Sequence, residues 1–329
     1  MTEINNGNLI LANKDANGGT EYIARKMIEL IPFDLLSHFQ IFHSRLRSPL
    51  DETKLRIFVA HDLVGDPESD HLKNGGWKKF HKIVFVSNWQ MQTYMNYYNI
   101  PWNHCEVIHN AIDPIDWNKQ NDGRIRLIYH PTPHRGLDIL APVFEKLCEK
   151  HDDIYLDVFS SFKLYGWEQR DEPYKKLFEK LESMERVTNH GTVSNEEIRK
   201  HLAQADIFAY PSVWMETSCL CLMESMSAGL ICVHPNYGAL FETAANWTMQ
   251  YQWNENRNVH GNIFYAALNN AINLTREKNP NFIKQLQTQS VYANIFYNWE
   301  LRKAQWENFL KSLLHLPRQF QTEMFSYKV

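Results

Sequence analysis

Two carboxylates, Glu216 and Glu224, stand eight positions apart in the stretch Ala205–Val233. The apolar run Ile207–Tyr210 reads as a strand, and Pro211-Ser212 halts it. Leu220, Leu222, Met223 and Met226 then recur at the spacing of a buried helix, which Gly229 ends. Leu230–Val233 reads as the next parallel strand. The unit is strand, loop, helix, strand, with one acid in the loop and one in the helix. Ligands of open α/β sheets sit beyond the carboxyl ends of the strands, where helix N-termini attract phosphate. A carboxylate there repels phosphate, but it accepts hydrogen bonds from the hydroxyls of a sugar or a ribose. The stretch therefore implies a sugar nucleotide as ligand.

The rest of the chain supplies the elements that must hold these acids. In the first half, strands are predicted at Leu9–Ala12, Ile57–Ala60, Lys82–Val86 and Glu106–Ile108. Helices are predicted from the Asn17–Glu21 loop to Leu30 and over Trp89–Tyr98. The polar stretch Trp117–Arg124 reads as a linker, after which the alternation resumes. Strands are expected at Arg126–Tyr129, Tyr155–Phe159 and near Val187; helices are expected at Leu137–Lys150, Tyr174–Met184 and Asn195–Ala203. Phe282–Leu314 reads as helical and carries Tyr292, Phe296, Trp299 and Trp306. Repeated βα units of this size imply parallel sheets covered on both faces, hence two doubly wound domains.

Composition narrows the class. The chain has 329 residues, enough for two domains, with 44% hydrophobic and 22% charged residues, the balance of a soluble globular protein. A net charge of −4 argues against a nucleic-acid partner. Five cysteines show neither the spacing of a metal knuckle nor that of a secreted disulfide framework, so a reducing compartment is expected. The N-terminal residues lack the pattern of a signal peptide, and no apolar run approaches the ~20 residues of a membrane span. A cytoplasmic location is expected. One basic-aromatic cluster, Lys73, Trp77, Lys78, Lys79, Phe80 and Lys82, allows at most peripheral membrane contact and reads more simply as a solvated face over a buried Trp and Phe.

Pro211-Ser212, Glu216, Glu224, Ser225-Met226 and Ala228-Gly229 together closely resemble the donor-site signature of the retaining GT-B glycosyltransferases of family 4 (glycosyl transferases group 1). That resemblance implies a GT-B fold: two Rossmann-like doubly wound parallel-sheet domains facing a central cleft. It implies an acceptor-side domain over residues 1–118, completed by C-terminal helices at about 300–329, and a donor-side domain over 119–299. Further segments carry it. Gly18, Gly19 and Thr20 form a glycine turn ahead of a helix, suited to close approach of a diphosphate. His61 ends a predicted strand, where the family's histidine faces the transferred sugar. Val86-Ser87-Asn88-Trp89 and His109–Asp113 match segments that close the first domain and read as architectural.

Arg135-Gly136 occupies the place of the family's Lys-Gly pair and is expected to supply the main cation for the diphosphate. The family's preceding Arg has no counterpart; His130 or Thr132 occupies its place. Asn189–Val193, with Gly191 and Val193, matches the loop framing the nucleobase, and Ser161 forms its neighbouring wall. By the same resemblance Glu216 accepts from the donor sugar and Glu224 holds the ribose diol. Backbone amides from Thr217 through Ser218, Cys219 and Leu220 face the diphosphate.

The implied activity is retaining transfer of a sugar from a nucleotide donor, UDP-linked first and GDP-linked next, to an acceptor hydroxyl. The acceptor class stays open among glycan, lipid-linked sugar, protein and small molecule. His61, Glu216 and Arg135 are the expected catalytic group. No strict Asp-x-Asp triplet occurs, so neither a metal nor another cofactor is expected. Two other readings stand beside this one: a non-catalytic nucleotide-sugar sensor or scaffold, and a GT-B epimerase or phosphorylase relative.

Overall fold

A computed structural model describes residues 9–10, 18–119 and 122–318. Eleven strands and eleven α-helices occur among them, and they fall into two units. The first takes in Gly19–His109 and the chain from Arg302 onward; the second takes in Gly18 and Asn110–Leu301.

The first unit holds strands β1 (Leu9–Ile10), β2 (Phe39–His43), β3 (Leu55–Ala60), β4 (Lys82–Phe85) and β5 (Cys105–Val107). They pair in sequence order and all in parallel. All six residues of β3 are buried, as a parallel strand covered on both faces requires. Helices α1 (Gly19–Leu30), α2 (Phe33–Leu36) and α3 (Asn88–Tyr98) belong to this unit. The Ser87 side chain starts α3 by accepting from Gln90 N–H at 3.0 Å, the ordinary capping chemistry. The strand expected at Leu9–Ala12 is present at Leu9–Ile10; its remainder, like Asn17 and 319–329, lies outside the described residues. In the basic-aromatic cluster Phe80 is fully buried, Trp77 packs edge-on against His104, and Lys73 pairs with Asp70 at 2.6 Å.

The second unit is a six-stranded parallel sheet. Its strands are β6 (Ile125–Tyr129), β7 (Ile154–Val158), β8 (Val187–Asn189), β9 (Ile207–Ala209), β10 (Ile231–Pro235) and β11 (Met249–Tyr251). The spatial order is β11-β10-β9-β6-β7-β8. The first strand of the unit, β6, thus lies centrally: β7 and β8 extend to one side, β9 to β11 to the other. The order reverses between β6 and β9, which makes the space beyond their carboxyl ends the crevice of the sheet. Around it lie helices α4 (Leu137–Cys148), α5 (Lys175–Ser183), α6 (Asn195–Gln204), α7 (Leu220–Ser227), α8 (Leu240–Ala244), α9 (Arg257–Glu277) and α10 (Pro280–Phe296).

Helix α7 is fixed from several sides. Leu222, Met223 and Met226 are fully buried, each such side chain contributing about 1.5–3 kcal/mol. On α10, Ser290 Oγ donates to Ser227 O at 2.5 Å, and Gln289 Nε2 donates to Leu230 O at 2.9 Å. The Ile115 N–H donates to Ser227 Oγ at 2.8 Å.

The last helix, α11 (Trp299–Leu313), places Trp306, Leu310 and Leu313 in the core of the first unit with Ala24, Ile41 and Val59. The four C-terminal aromatics do not act together: Tyr292 and Phe296 pack on the core of the second unit, and Trp306 in that of the first. Among the described residues no helix is long and apolar enough to cross a membrane, and all five cysteines are free.

Candidate functional site

Two strand–helix loops meet at the β6/β9 crevice. The first runs from β6 through His130, Pro131 and Thr132 into a 3-10 turn, Pro133–Arg135, and enters α4 at Gly136. The second runs from β9 through Tyr210 and Pro211 to Cys219, where α7 begins. Their contact depends on Gly136. Its backbone is left-handed (φ +117°), and a Cβ there would lie 2.1 Å from Pro211 O. Gly136→Ala is therefore expected to push the loops apart, at a cost of about 2–4 kcal/mol. Urea unfolding, which reports that cost as a lower midpoint, is the check.

The first loop delivers Arg135 and the second Glu216. Arg135 Nη1 donates to Glu216 Oε1 at 2.5 Å, and the Tyr210 hydroxyl donates to the same oxygen at 2.5 Å. The carboxylate side chain is 4% exposed and the guanidinium side chain 24%. Burial works against the charge on Arg135, and Glu216 outweighs it, so the guanidinium is held ionised. The guanidinium carbon sits over the Trp214 ring, 5.8 Å from its centroid. The Glu216 backbone is clamped as well: it bridges to Gly238, and Ala239 N–H donates to Glu216 O at 2.7 Å. Gly238 is obligatory at φ +61°, since a Cβ would stand 2.5 Å from Glu216 O.

Glu224 lies one turn from the end of α7 and half-buried. Burial pushes its carboxyl up to about 7, against the partial opposition of His130. His130 Nδ1 is 3.9 Å from Glu224 Oε2, and His130 Nε2 lies 3.2 Å from Ser225 Oγ. Burial alone would depress the His130 imidazole; Cys221 and then Glu224 outweigh it, and the net direction is upward. Of the two candidates for the missing cation, His130 is thus the one beside the second acid.

Four buried polar atoms around these loops have no hydrogen-bond partner: Thr132 Oγ1, His134 Nδ1, Arg135 Nε and Ser218 Oγ. Buried polar groups are nearly always paired, so such a group of orphans marks where a polar ligand belongs. Cys219 occupies the N-cap of α7, and Leu220 opens its first turn. The first-turn amides of a helix lack intrahelical acceptors and favour an anion. Thr217 stands half-buried in the same loop.

Other expected residues are placed as follows. The Ser161 hydroxyl donates to Asp171 Oδ2 at 2.5 Å and accepts from Lys163 N–H at 2.9 Å, so it is committed to its own turn. Gly191 and Val193 are half-buried in the loop after β8; Gly191 has a left-handed backbone and open space around it. Gly19 and Thr20 open α1 in the first unit, while Gly18, counted with the second, is buried.

His61 follows β3, also in the first unit, and its ring stacks on that of His43, centroids 5.3 Å apart, with His43 Nδ1 and His61 Nε2 3.0 Å apart. Burial depresses His61 to about 4, so it is neutral at neutral pH. His43, Tyr210 and Trp214 are the partners that sequence reasoning missed. A tyrosine six residues before an expected functional acid was the available signal for the second.

Residues 117–279 match the family model described as "Glycosyl transferases group 1". A curated relative, the phosphatidylinositol N-acetylglucosaminyltransferase GPI3 subunit of Saccharomyces cerevisiae (strain YJM789), is 25% identical over 232 residues. The match covers 66% of this chain and 48% of the relative, so the chain spans about half the length of the curated relatives it matches. Among solved structures, a glycosyltransferase from Rickettsia africae ESF-5 superposes with a TM-score of 0.66 at 15% identity, covering 93% of this chain and 85% of that one. Anabaena Alr3699/HepE in complex with UDP gives 0.61 at 16%, covering 79% and 73%. The fold is that of the GT-B glycosyltransferases, and residues 117–279 form a glycosyl transferases group 1 domain.

Proposed function

We propose that the chain is a retaining, nucleotide-sugar-dependent glycosyltransferase of the family 4 type, needing no metal for transfer. The observation that carries the reading is the convergence of Arg135, Glu216, Glu224 and four unpartnered buried polar atoms at the β6/β9 switch point. In this reading Glu224 accepts from the ribose diol and Glu216 from hydroxyls of the transferred sugar. Arg135 and the first amides of α7 face the diphosphate. Departure of the nucleoside diphosphate builds negative charge on its terminal phosphate oxygens. Fixed donors aimed there stabilise the charge as it develops. The acceptor hydroxyl attacks the anomeric carbon on the face the diphosphate leaves, and its proton passes to that departing phosphate. Neutral His61 is a hydrogen-bond partner for the sugar, not a charge.

UDP-sugars are the favoured donors and GDP-sugars the next. The Anabaena structure with UDP and the N-acetylglucosaminyl transfer in the yeast relative's name make UDP-glucose and UDP-N-acetylglucosamine the first to test. That relative is named as a subunit, so a companion protein is a partner to seek. One observation favours a second reading, a non-catalytic nucleotide-sugar sensor: Glu216 already neutralises the Arg135 cation.

A thermal-shift and calorimetric screen of UDP-, GDP- and ADP-sugars, with EDTA present, tests the proposal on wild type and Glu224→Ala. One nucleotide class is expected to raise the melting temperature by mass action, and the variant to lose the effect. Donor binding with neither transfer nor slow donor hydrolysis selects the sensor. No shift with any donor overturns both readings.

A further inference from the structure

At the β7/β8 edge of the same sheet, three side chains to which the donor reading gives no role converge on one point, one of them, His190, within the loop expected to frame the nucleobase. Asp157 lies on β7, His190 directly follows β8, and His201 lies on α6. Asp157 Oδ1 is 2.6 Å from His190 Nε2, and Asp157 Oδ2 is 3.7 Å from His201 Nδ1. One ligand atom from each of the three lies within 4.8 Å of the others, and all three residues are half-buried. Phe159 fixes both rings: it stacks on His190 with centroids 4.3 Å apart and planes 5° apart, and meets His201 at 4.8 Å and 64°.

We infer that Asp157, His190 and His201 form a binding site for a divalent transition-metal ion, zinc above all. The donor set is the first reason. Two imidazole nitrogens and one carboxylate suit zinc and its neighbours, whereas magnesium and calcium take oxygen ligands.

Spacing is the second reason. Tetrahedral ligands at about 2.0–2.1 Å from zinc stand roughly 3.3 Å apart. The observed 2.6 Å to one Asp157 oxygen and 3.7 Å to the other lie on either side of that value.

The state of His201 is the third. Its ring lies between two carboxylates and is within hydrogen-bond length of neither: Asp157 Oδ2 is 3.7 Å from Nδ1 and Glu197 Oε1 is 3.6 Å from Nε2. Nδ1 and Asp157 Oδ2 thus face each other with no hydrogen bond between them. A cation between them satisfies both. Glu197 then stands behind the ligand histidine as the outer carboxylate commonly does, orienting the ring. Three protein ligands leave the fourth position to water.

The site joins the ends of β7 and β8 to α6, pinning the edge of the sheet. The inference shares only the Asn189–Val193 loop, through His190, with the donor reading, and its metal is one the proposed transfer does not need.

The test is direct. Chelator-treated full-length protein is titrated with zinc chloride against a chromophoric competitor, and separately with cobalt(II) followed by visible absorption. One zinc per chain is expected, with an intense tetrahedral cobalt band and a raised melting temperature, while magnesium does neither. His201→Gln and Asp157→Asn are expected to weaken zinc binding by at least tenfold, and Glu197→Gln by several-fold. The exposed His315→Gln is expected to leave it unchanged. Melting temperatures in EDTA show that each variant is folded. Absence of stoichiometric zinc uptake, or uptake that none of the three variants changes, overturns the site and leaves an Asp157–His190 hydrogen bond beside His201.

Discussion

Removing either member of the Arg135–Glu216 pair alone is expected to cost about 3–5 kcal/mol of stability, and removing both together much less. The reason is the asymmetry of burial. The Glu216 side chain is 4% exposed and holds two donors on one oxygen. Arg135→Met leaves that carboxylate facing only the Tyr210 hydroxyl, with its charge uncompensated. Glu216→Leu strands a guanidinium whose Nε already lacks a partner. In the double variant, Arg135→Met with Glu216→Leu, no charge remains to be paired, and apolar side chains of similar size occupy the space. Thermal melting of the two single variants is expected to fall by on the order of 10 °C, while the double variant recovers most of that. Transfer activity follows a different pattern. Under the proposed mechanism all three proteins lose about a thousandfold or more in turnover, because stability returns and the electrostatic groups do not. Recovered activity in the double variant would remove this pair from the chemistry.

The second large effect is a pH dependence centred on Glu224. Burial raises its carboxyl from the ordinary 4.5 to about 7. The folded chain therefore holds this proton more tightly than the unfolded chain. The contribution to stability is fully present below pH 4.5 and is lost as pH rises through 7. Glu224→Gln removes that slope. Donor binding runs the opposite way, since a ribose diol needs the ionised carboxylate as acceptor.

Affinity for a nucleotide sugar, whose diphosphate is esterified at both ends and does not titrate here, is expected to fall about tenfold from pH 8 to pH 6. The midpoint belongs to Glu224 and His130 jointly, because each shifts the other across 3.9 Å. In Glu224→Gln the affinity is lower by one to two orders of magnitude and flat with pH. Calorimetry across pH 6–8 decides it, and an unchanged slope in the variant would relocate the titration to His130.

How far these features could be seen in advance depended on how local their causes are. The β9–α7–β10 unit was legible because strand, breaker, helix spacing and cap lie within one short stretch and agree. Strand β2 was missed although all five of its residues are buried. Gln40 and His43 interrupt its apolar pattern, and their partners lie outside the strand: Gln40 bonds Pro49 and Asp51, and His43 Nδ1 meets His61.

Helix α9 was also missed. Its asparagines and Gly261 lower local helix propensity, yet His260, Phe264, Leu268, Ala271 and Ile272 form one buried stripe at helical spacing. At the candidate site, Glu216, Glu224 and Arg135 were named from the chain. That Glu216 would already hold Arg135 and Tyr210 was not, because the contact spans 81 positions and the meeting of two loops. Ser161, expected at the wall beside the nucleobase loop, has its hydroxyl bonded to Asp171, a partner ten positions on that the chain does not advertise.

Helix α11 bears on the order in which a ribosome delivers this protein. The core of the second unit draws on one uninterrupted stretch, from Ile112 to Tyr297. One of the two apolar clusters of the first runs from Ala24 to Ile108 and is completed only by Trp306, Leu310 and Leu313, while the other, from Phe42 to Cys105, needs none of them. During vectorial synthesis the half that emerges first is thus the half that finishes last. The apolar surface of that one cluster waits uncovered while the 192 residues of Asn110–Leu301 are added, a period in which chaperones, not the fold, must guard it.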